Sequence, residues 1–307
     1  MREGGTESVR MSRSASSSTA VPTIPEDGLL WRWATDWRLS LTGLSNGILQ
    51  LMHPGLGAGV AEHSDFFLEP WARITRSIGP IVASIRDDDT ARAIRDLHRD
   101  IKGVDHRGRR YHALDPGTYW WAHITLYRAA EQAARRFSAG GLTEVQREAM
   151  YQEGRLWYRR YGVSERGLPT TRREYTARFQ QVCAEELEMT PAAERAVEMA
   201  LGARVNGIPG PRVIALPVEL GVTPAARLTS IGGLPAVVRE RFGIPWSAAD
   251  DVQYRALIVA AREGSRLLPE GLRRVSMRRH AQRSRLTPGE RPAGYRPVEA
   301  RTASAGH

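Results

Sequence analysis

Apolar residues recur with a helical period along most of the chain, and the alternating pattern of a half-buried strand is essentially absent. After a run of acidic residues that marks a helix start, Ile94, His98 and Ile101 fall on one stripe of a predicted helix. We expect Gly103 to end this helix as a C-cap. Residues 104–110 are polar and predict a turn.

Capping residues mark two further helix starts. Asp115 precedes Pro116, which places an acid at the N-cap and proline at the first helical position of a long helix. Thr143 and Gln146 have the spacing of a capping box, for a helix that ends at Gly162. Other predicted helices cover residues 171–188, 191–201, 224–231, 234–242, 247–264 and 269–283, and residues 203–224 are expected to form a connector rich in Pro and Gly. Helices joined by short loops predict an all-α fold.

The two ends of the chain differ in composition from its middle. Residues 1–26 are rich in Ser, Thr and Gly, residues 287–307 are rich in Pro, Gly and Arg, and neither segment is periodic. Both are therefore predicted to be disordered tails. Residues 27–286 then predict a single large helical domain, long enough to bury a substantial core.

Charge and composition narrow the classes of function. The net charge is +10, but Lys102 is the single lysine and the densest basic run, 273–301, lies near the C-terminus, which argues against nucleic-acid recognition. One cysteine, Cys183, excludes an intrachain disulfide and a cysteine-based metal site. No apolar stretch is long enough for a membrane span and no signal peptide is recognisable, so a cytoplasmic location is expected.

Histidines are the main candidates for chemistry, because motifs of nucleotide-binding loops, metalloproteases and serine hydrolases are missing. His98 should point into the core, either as a hydrogen-bonded core residue or as the one nitrogen ligand that haem iron requires. His123 should also point inward, bonded to a carbonyl, lining a cofactor pocket or replacing His98 as the ligand. Arg73, Arg76 and Ser77 either bind haem propionates or lie on the surface.

Four ordered motifs resemble the catalytic-domain family of latex-clearing rubber oxygenases and MpaB-type oxygenases. They are HPGLGAGVAEHSDFFLEPWARITRS, RAIRDLHRDIKG, YHALDPGTYWWAHITL and YGVSERGLPTT, within residues 31–177, with weaker echoes to residue 274. The resemblance implies an all-α fold with a globin-like core that binds haem b. It also implies O2-dependent oxidation of a small organic molecule.

The resemblance further implies which residues contact the cofactor. His98 follows Arg95 by three residues, as the proximal iron ligand does in the family, so the metal-ligand role carries over to His98. His123 and Thr125 match a later family element. Together with Arg95 and Lys102, they complete the expected cofactor-binding set.

The expected catalytic residues lie on the opposite, distal side of the haem. Arg73, Arg76 and Ser77 match the family's distal positions, where they would donate hydrogen bonds or charge to bound oxygen or to a propionate. Two of them depart from the rubber oxygenase pattern: Ser77 stands in place of threonine, and Arg76 in place of a lysine that can reach the iron. An arginine stays protonated and is a poor ligand, so the distal iron position is expected to be open or to hold water.

Several functional alternatives remain open at this stage. The expected substrate is an intracellular lipid, terpenoid or other secondary metabolite, and O2 is the expected co-substrate. A homodimer is compatible with the sequence. The alternatives are a haem-dependent dehydrogenase, monooxygenase or peroxidase-like enzyme, a haem sensor or carrier without turnover, and a helical nucleic-acid binder that uses the basic C-terminal segment.

Overall fold

Helices account for almost all of the regular structure. The computed structural model describes residues 21–64, 66–68, 70–202 and 224–292. Within these ranges, the regular structure besides helices is one small antiparallel hairpin, so the predicted all-α fold is confirmed. None of the helices in these ranges is long and apolar enough to cross a membrane.

The elements follow one another with short connections. In chain order they are α1 (Leu29–Ala34), a 3-10 turn (Trp37–Leu39), α2 (Ser40–Leu51), α3 (Pro54–His63), α4 (Pro70–Ala83), α5 (Asp88–Leu97), β1 (Lys102–Val104), β2 (Arg110–His112), α6 (Pro116–Phe137), α7 (Glu144–Arg160), α8 (Arg172–Gln181), a π-helical turn (Val182–Glu186), α9 (Pro191–Leu201), α10 (224–232), α11 (Ala236–Arg241), α12 (Ala248–Arg266) and α13 (Glu270–Arg283). The predicted bounds of the last five helices agree with these within a few residues, and those of α9 are the same.

The long helix α6 forms the centre of the molecule. It packs against α1, α2, α7 and α12, and most of its side chains are buried, among them Trp121 and Tyr127. A helix that is apolar on several faces needs neighbours on all of them. The surrounding helices therefore enclose α6, and side chains along it reach both ends of the core.

The predicted capping residues start and end the central helices. Asp115 is the N-cap of α6 and Pro116 its first residue. Thr143 and Gln146 make both bonds of a capping box at the start of α7. Gly162, with a φ of 66°, follows the end of that helix in the left-handed conformation that glycine adopts at little cost.

The end of α5 differs from the prediction. The helix stops at Leu97 with His98 as its C-cap, and Gly103 lies in β1, which pairs with β2. The prediction of Gly103 as a helix cap is therefore wrong, whereas residues 105–109 of the predicted polar turn connect the two strands. A Cβ at position 103 would lie 2.6 Å from the Glu62 carboxylate and 2.9 Å from the Tyr111 hydroxyl. Tight tertiary packing, rather than a helix terminus, explains this glycine.

Part of the segment predicted to be an N-terminal tail is packed into the core. Ile24 is fully buried, and its carbonyl accepts a hydrogen bond of 2.8 Å from Arg86 Nε. Residues 1–20 and 293–307 of the predicted tails, and 203–223 of the predicted connector, lie outside the described residues.

Candidate functional site

His98 presents one ring nitrogen that is free to bind a ligand. Its Nδ1 lies 2.7 Å from the carbonyl oxygen of Ile94, one turn back in α5, so Nδ1 carries the proton and donates it. Nε2 then keeps its lone pair, and no other residue in the described ranges makes a hydrogen bond to it. A histidine oriented through Nδ1 and open at Nε2 is the usual form of a metal-ligating imidazole.

The electrostatic surroundings of His98 favour the neutral ring. Burial lowers its pKa below the ordinary value of 6.5, the hydrogen bond to Ile94 opposes this, and the positive charge of Arg73 lowers the pKa further. The ring is therefore neutral at pH 7, which is the form that binds metals. Arg73 is thus near enough to His98 for its charge to act on the ring.

Arg73 is held in place by two hydroxyl groups. Its guanidinium donates to Ser77 Oγ one turn further along α4, and the Ser77 hydroxyl donates to the Arg73 carbonyl at 2.8 Å. Arg73 Nε also donates to Ser64 Oγ at 3.3 Å, just beyond the end of α3. Ser77 thus contacts Arg73, whose charge acts on His98, while Arg76 lies partly buried on α4, about 100° around the helix axis from Ser77.

Close packing against α13 positions α4. A Cβ at Gly79 would lie 2.3 Å from Ser284 Oγ, so only glycine allows this approach without a shift. Nearby, His280 Nε2 donates to the Thr75 carbonyl at 3.1 Å. These contacts fix α4 from Thr75 to Gly79, the part of the helix that contains Ser77.

His123 occupies a different part of the interior. Its Nε2 lies 3.0 Å from the carbonyl of Gly154, its Nδ1 is buried without a hydrogen-bond partner, and its ring packs against Trp157 at a centroid distance of 4.6 Å. Tyr161 and Tyr119 lie between this ring and His98. The inward orientation predicted for His123 is present, and its contacts are those of a neutral core histidine bonded to a carbonyl.

The buried neutral ring of His123 predicts a loss of stability in acid. Burial lowers its pKa from 6.5 to about 3. The unfolded chain takes up a proton at this residue below about pH 6.5 and the folded chain does not. Stability should therefore fall from about pH 6.5 down to about pH 3. At pH 5 the loss should be about 2 kcal/mol, from 1.36 kcal/mol per pH unit.

Urea unfolding at pH 7.5 and pH 5 measures this loss. His123→Phe should remove this contribution, so its free energy of unfolding should change less between the two pH values than that of the wild type. Equal pH dependence in His123→Phe and the wild type would contradict the assignment.

The remaining predicted cofactor residues are tied to other parts of the fold. Thr125 is fully buried, donates to main-chain carbonyls of its own helix and accepts a 2.8 Å hydrogen bond from Gln50 of α2. Arg95 donates to the Tyr161 carbonyl at 3.2 Å and pairs with Asp96. Lys102 is exposed on β1. The contact of Thr125 joins α6 to α2, and that of Arg95 joins α5 to the residue that follows α7.

Tyr119 is a site residue that sequence reasoning missed. Its buried ring meets the His98 ring edge to face at a centroid distance of 6.3 Å, and it contacts Tyr158 and Tyr161 on its other side. Tyr119 and His123 are four residues apart on α6, so a helical wheel places both on one face. That spacing was the available signal, although it does not reveal which face meets α5.

The groups around His98 are of the kinds that a haem site uses, and they differ from those of a site built from several protein ligands. Among the described residues, no three His, Cys, Asp or Glu side chains form a group that could hold a metal ion. Haem iron needs one strong protein nitrogen and a cation near the macrocycle, and His98 Nε2 and Arg73 are groups of these two kinds. Two pockets are found elsewhere: one of about 20 Å³ against His123, and a larger one at the far end of α6.

Comparison with known proteins places the chain in a family. No curated protein and no solved structure showed significant similarity to it. A model of the family described as "ER-bound oxygenase mpaB/B'/Rubber oxygenase, catalytic domain" matches residues 31–263, which is most of the chain and includes Arg73, Ser77 and His98. The chain therefore belongs to the family of MpaB and rubber oxygenase catalytic domains, an oxygenase family.

Proposed function

We propose that this protein is a haem-b-dependent oxidoreductase that uses O2 to oxidise a small organic molecule such as a lipid, terpenoid or other secondary metabolite. The observation that carries the proposal is the neutral His98 ring, oriented through Nδ1 to the Ile94 carbonyl and open at Nε2. Family membership supports oxygenase chemistry independently of this geometry. His98 is the residue that would hold the cofactor.

Haem b would supply the iron that activates O2. The residues of the chain supply ligation and polarity. The carbonyl of Ile94 keeps the proton on Nδ1 and so keeps Nε2 available as a donor. Arg73 offers a fixed positive charge that would stabilise an anionic oxygen or a carboxylate beside His98, and Ser64 and Ser77 hold it in position.

An absorption spectrum of the purified protein with added haem tests the proposal. Stoichiometric binding should give a Soret band that shifts when the reduced protein is exposed to CO. Oxidation of candidate substrates under ¹⁸O2 then separates the oxygenase from the alternatives, because a dehydrogenase or a peroxidase-like enzyme leaves ¹⁸O out of the product. Reversible O2 or CO binding without consumption of any substrate would instead indicate a sensor or carrier.

Substitution of Arg73 tests the role of its charge. Arg73→Leu should keep the Soret band and lower O2 consumption about tenfold, the loss expected for one charge-assisted hydrogen bond of about 1.5 kcal/mol. Arg73→Lys keeps the charge and should lose less. Arg92→Leu, an exposed arginine on α5, is the matched control and should behave as the wild type. Unchanged O2 consumption in Arg73→Leu would contradict the assigned role.

A further inference from the structure

A second pocket lies at the opposite end of α6 from His98. It has a volume of about 320 Å³ and is formed by α1, the 3-10 turn, the loop between α6 and α7, and the ends of α12 and α13 that face each other. Phe137 lines it, and Tyr119, which touches His98, is 18 residues earlier on the same helix. At 1.5 Å per residue the two positions are about 27 Å apart, so the pocket is separate from the proposed haem site.

The pocket carries an excess of positive charge. Four arginines line it, against two carboxylates, and a third carboxylate, Glu263, pairs with Arg266 from outside the pocket. Both carboxylates of the wall are already bound by arginines, Asp36 by Arg38 and Glu270 by Arg32. A ligand with a negative charge would therefore meet a favourable potential, and the two carboxylates of the wall, being paired, would repel it little.

The rest of the wall is apolar. Trp33, Phe137, Leu29 and Leu142 line the pocket beside the polar groups. Small-molecule sites typically combine such apolar walls with a few polar groups, and they begin at about this volume. The walls therefore suit a hydrocarbon or aromatic body of roughly ten heavy atoms, while the arginines suit an acidic head.

From these features we infer that the pocket binds a small organic carboxylate, with the carboxylate among the arginines and the apolar body against Trp33 and Phe137. The ligand class follows from the charge and the apolar wall taken together. This site is independent of haem, and its occupant need not be the substrate of the oxygenase.

Binding of octanoate, measured by calorimetry on the full chain, tests the inference. Octan-1-ol has the same body without the charge, and inorganic phosphate has charge without the body, so both should bind at least about tenfold more weakly than octanoate, a difference of about 1.4 kcal/mol. The affinity for octanoate should be the same with and without haem. Equal binding of octanoate and octanol, or no binding of octanoate, would overturn the inference.

Two variants locate the binding site. Arg32→Gln combined with Arg266→Gln removes two charges from partly exposed positions of the pocket and should weaken octanoate binding about tenfold. Leu142→Trp keeps the charges and should block binding by filling the space. Arg255→Gln, an exposed arginine on α12 away from the pocket, is the matched control. If both pocket variants bound octanoate as the wild type does, the assigned site would be wrong.

Discussion

Replacing His98 with alanine is expected to give a folded protein that no longer retains haem. Its Soret absorption should fall at least about tenfold at equal protein concentration, because loss of a ligand should exceed the 10- to 100-fold effects that second-shell changes have on metal binding. The physical reason is that a haem iron bound by one protein nitrogen has no substitute when that nitrogen is removed. Absorption after gel filtration, with haem quantified by extraction, measures the result.

Chemical rescue separates the loss of a ligand from the loss of the fold. In His98→Gly, added imidazole should restore the Soret band, because the small ring can occupy the position of the missing side chain. Far-UV circular dichroism should show the same helix content in the wild type and both variants. His123→Phe should keep its haem, since His123 already bonds to Gly154. A full Soret band in His98→Ala, with its loss in His123→Phe, would move the ligand role to His123.

Helix starts were predictable from sequence because they depend on neighbouring residues. Asp87 accepts a hydrogen bond from the Thr90 amide at the start of α5, and Thr143 with Gln146 forms its capping box at α7. Each interaction lies within a few residues of the chain, so spacing alone was enough. The end of α5 was not predictable in this way, because Gly103 is determined by Glu62 and Tyr111, which are distant in sequence or in another strand.

The candidate site was predictable in part for the same reason. Arg73 and Ser77 are one helical turn apart, so their contact could be expected from the sequence. The approach of Arg73 to His98, and the contact of His98 with Tyr119, join three different helices or their ends. The sequence pattern showed that His98 and His123 face inward. It did not show that His123 meets Gly154 while His98 keeps a free nitrogen.

Asp36 and Arg38 form a buried ion pair in the wall of the second pocket, and its loss is expected to lower the stability of the fold strongly. Asp36 and Arg38 are each 3% exposed, and they form two parallel hydrogen bonds of 2.8 and 2.7 Å. Arg38 also donates to the carbonyl of Phe137 and the hydroxyl of Ser265, so it connects the 3-10 turn to the end of α6 and to α12. The positive charge of this buried guanidinium is thus neutralised by Asp36.

Asp36→Ala should therefore destabilise the protein by about 3–5 kcal/mol, because removing one partner leaves a buried charge uncompensated. Urea unfolding at pH 7 gives the free energy of unfolding. The double variant Asp36→Ala/Arg38→Met removes the stranded charge as well and should recover roughly half of the loss, since apolar replacement of a buried pair is often close to neutral. Arg38→Met alone completes the comparison. If the loss in the double variant equalled the sum of the losses in the two single variants, the cost would come from packing and from the lost bonds to Phe137 and Ser265. The ion pair would then not be the cause.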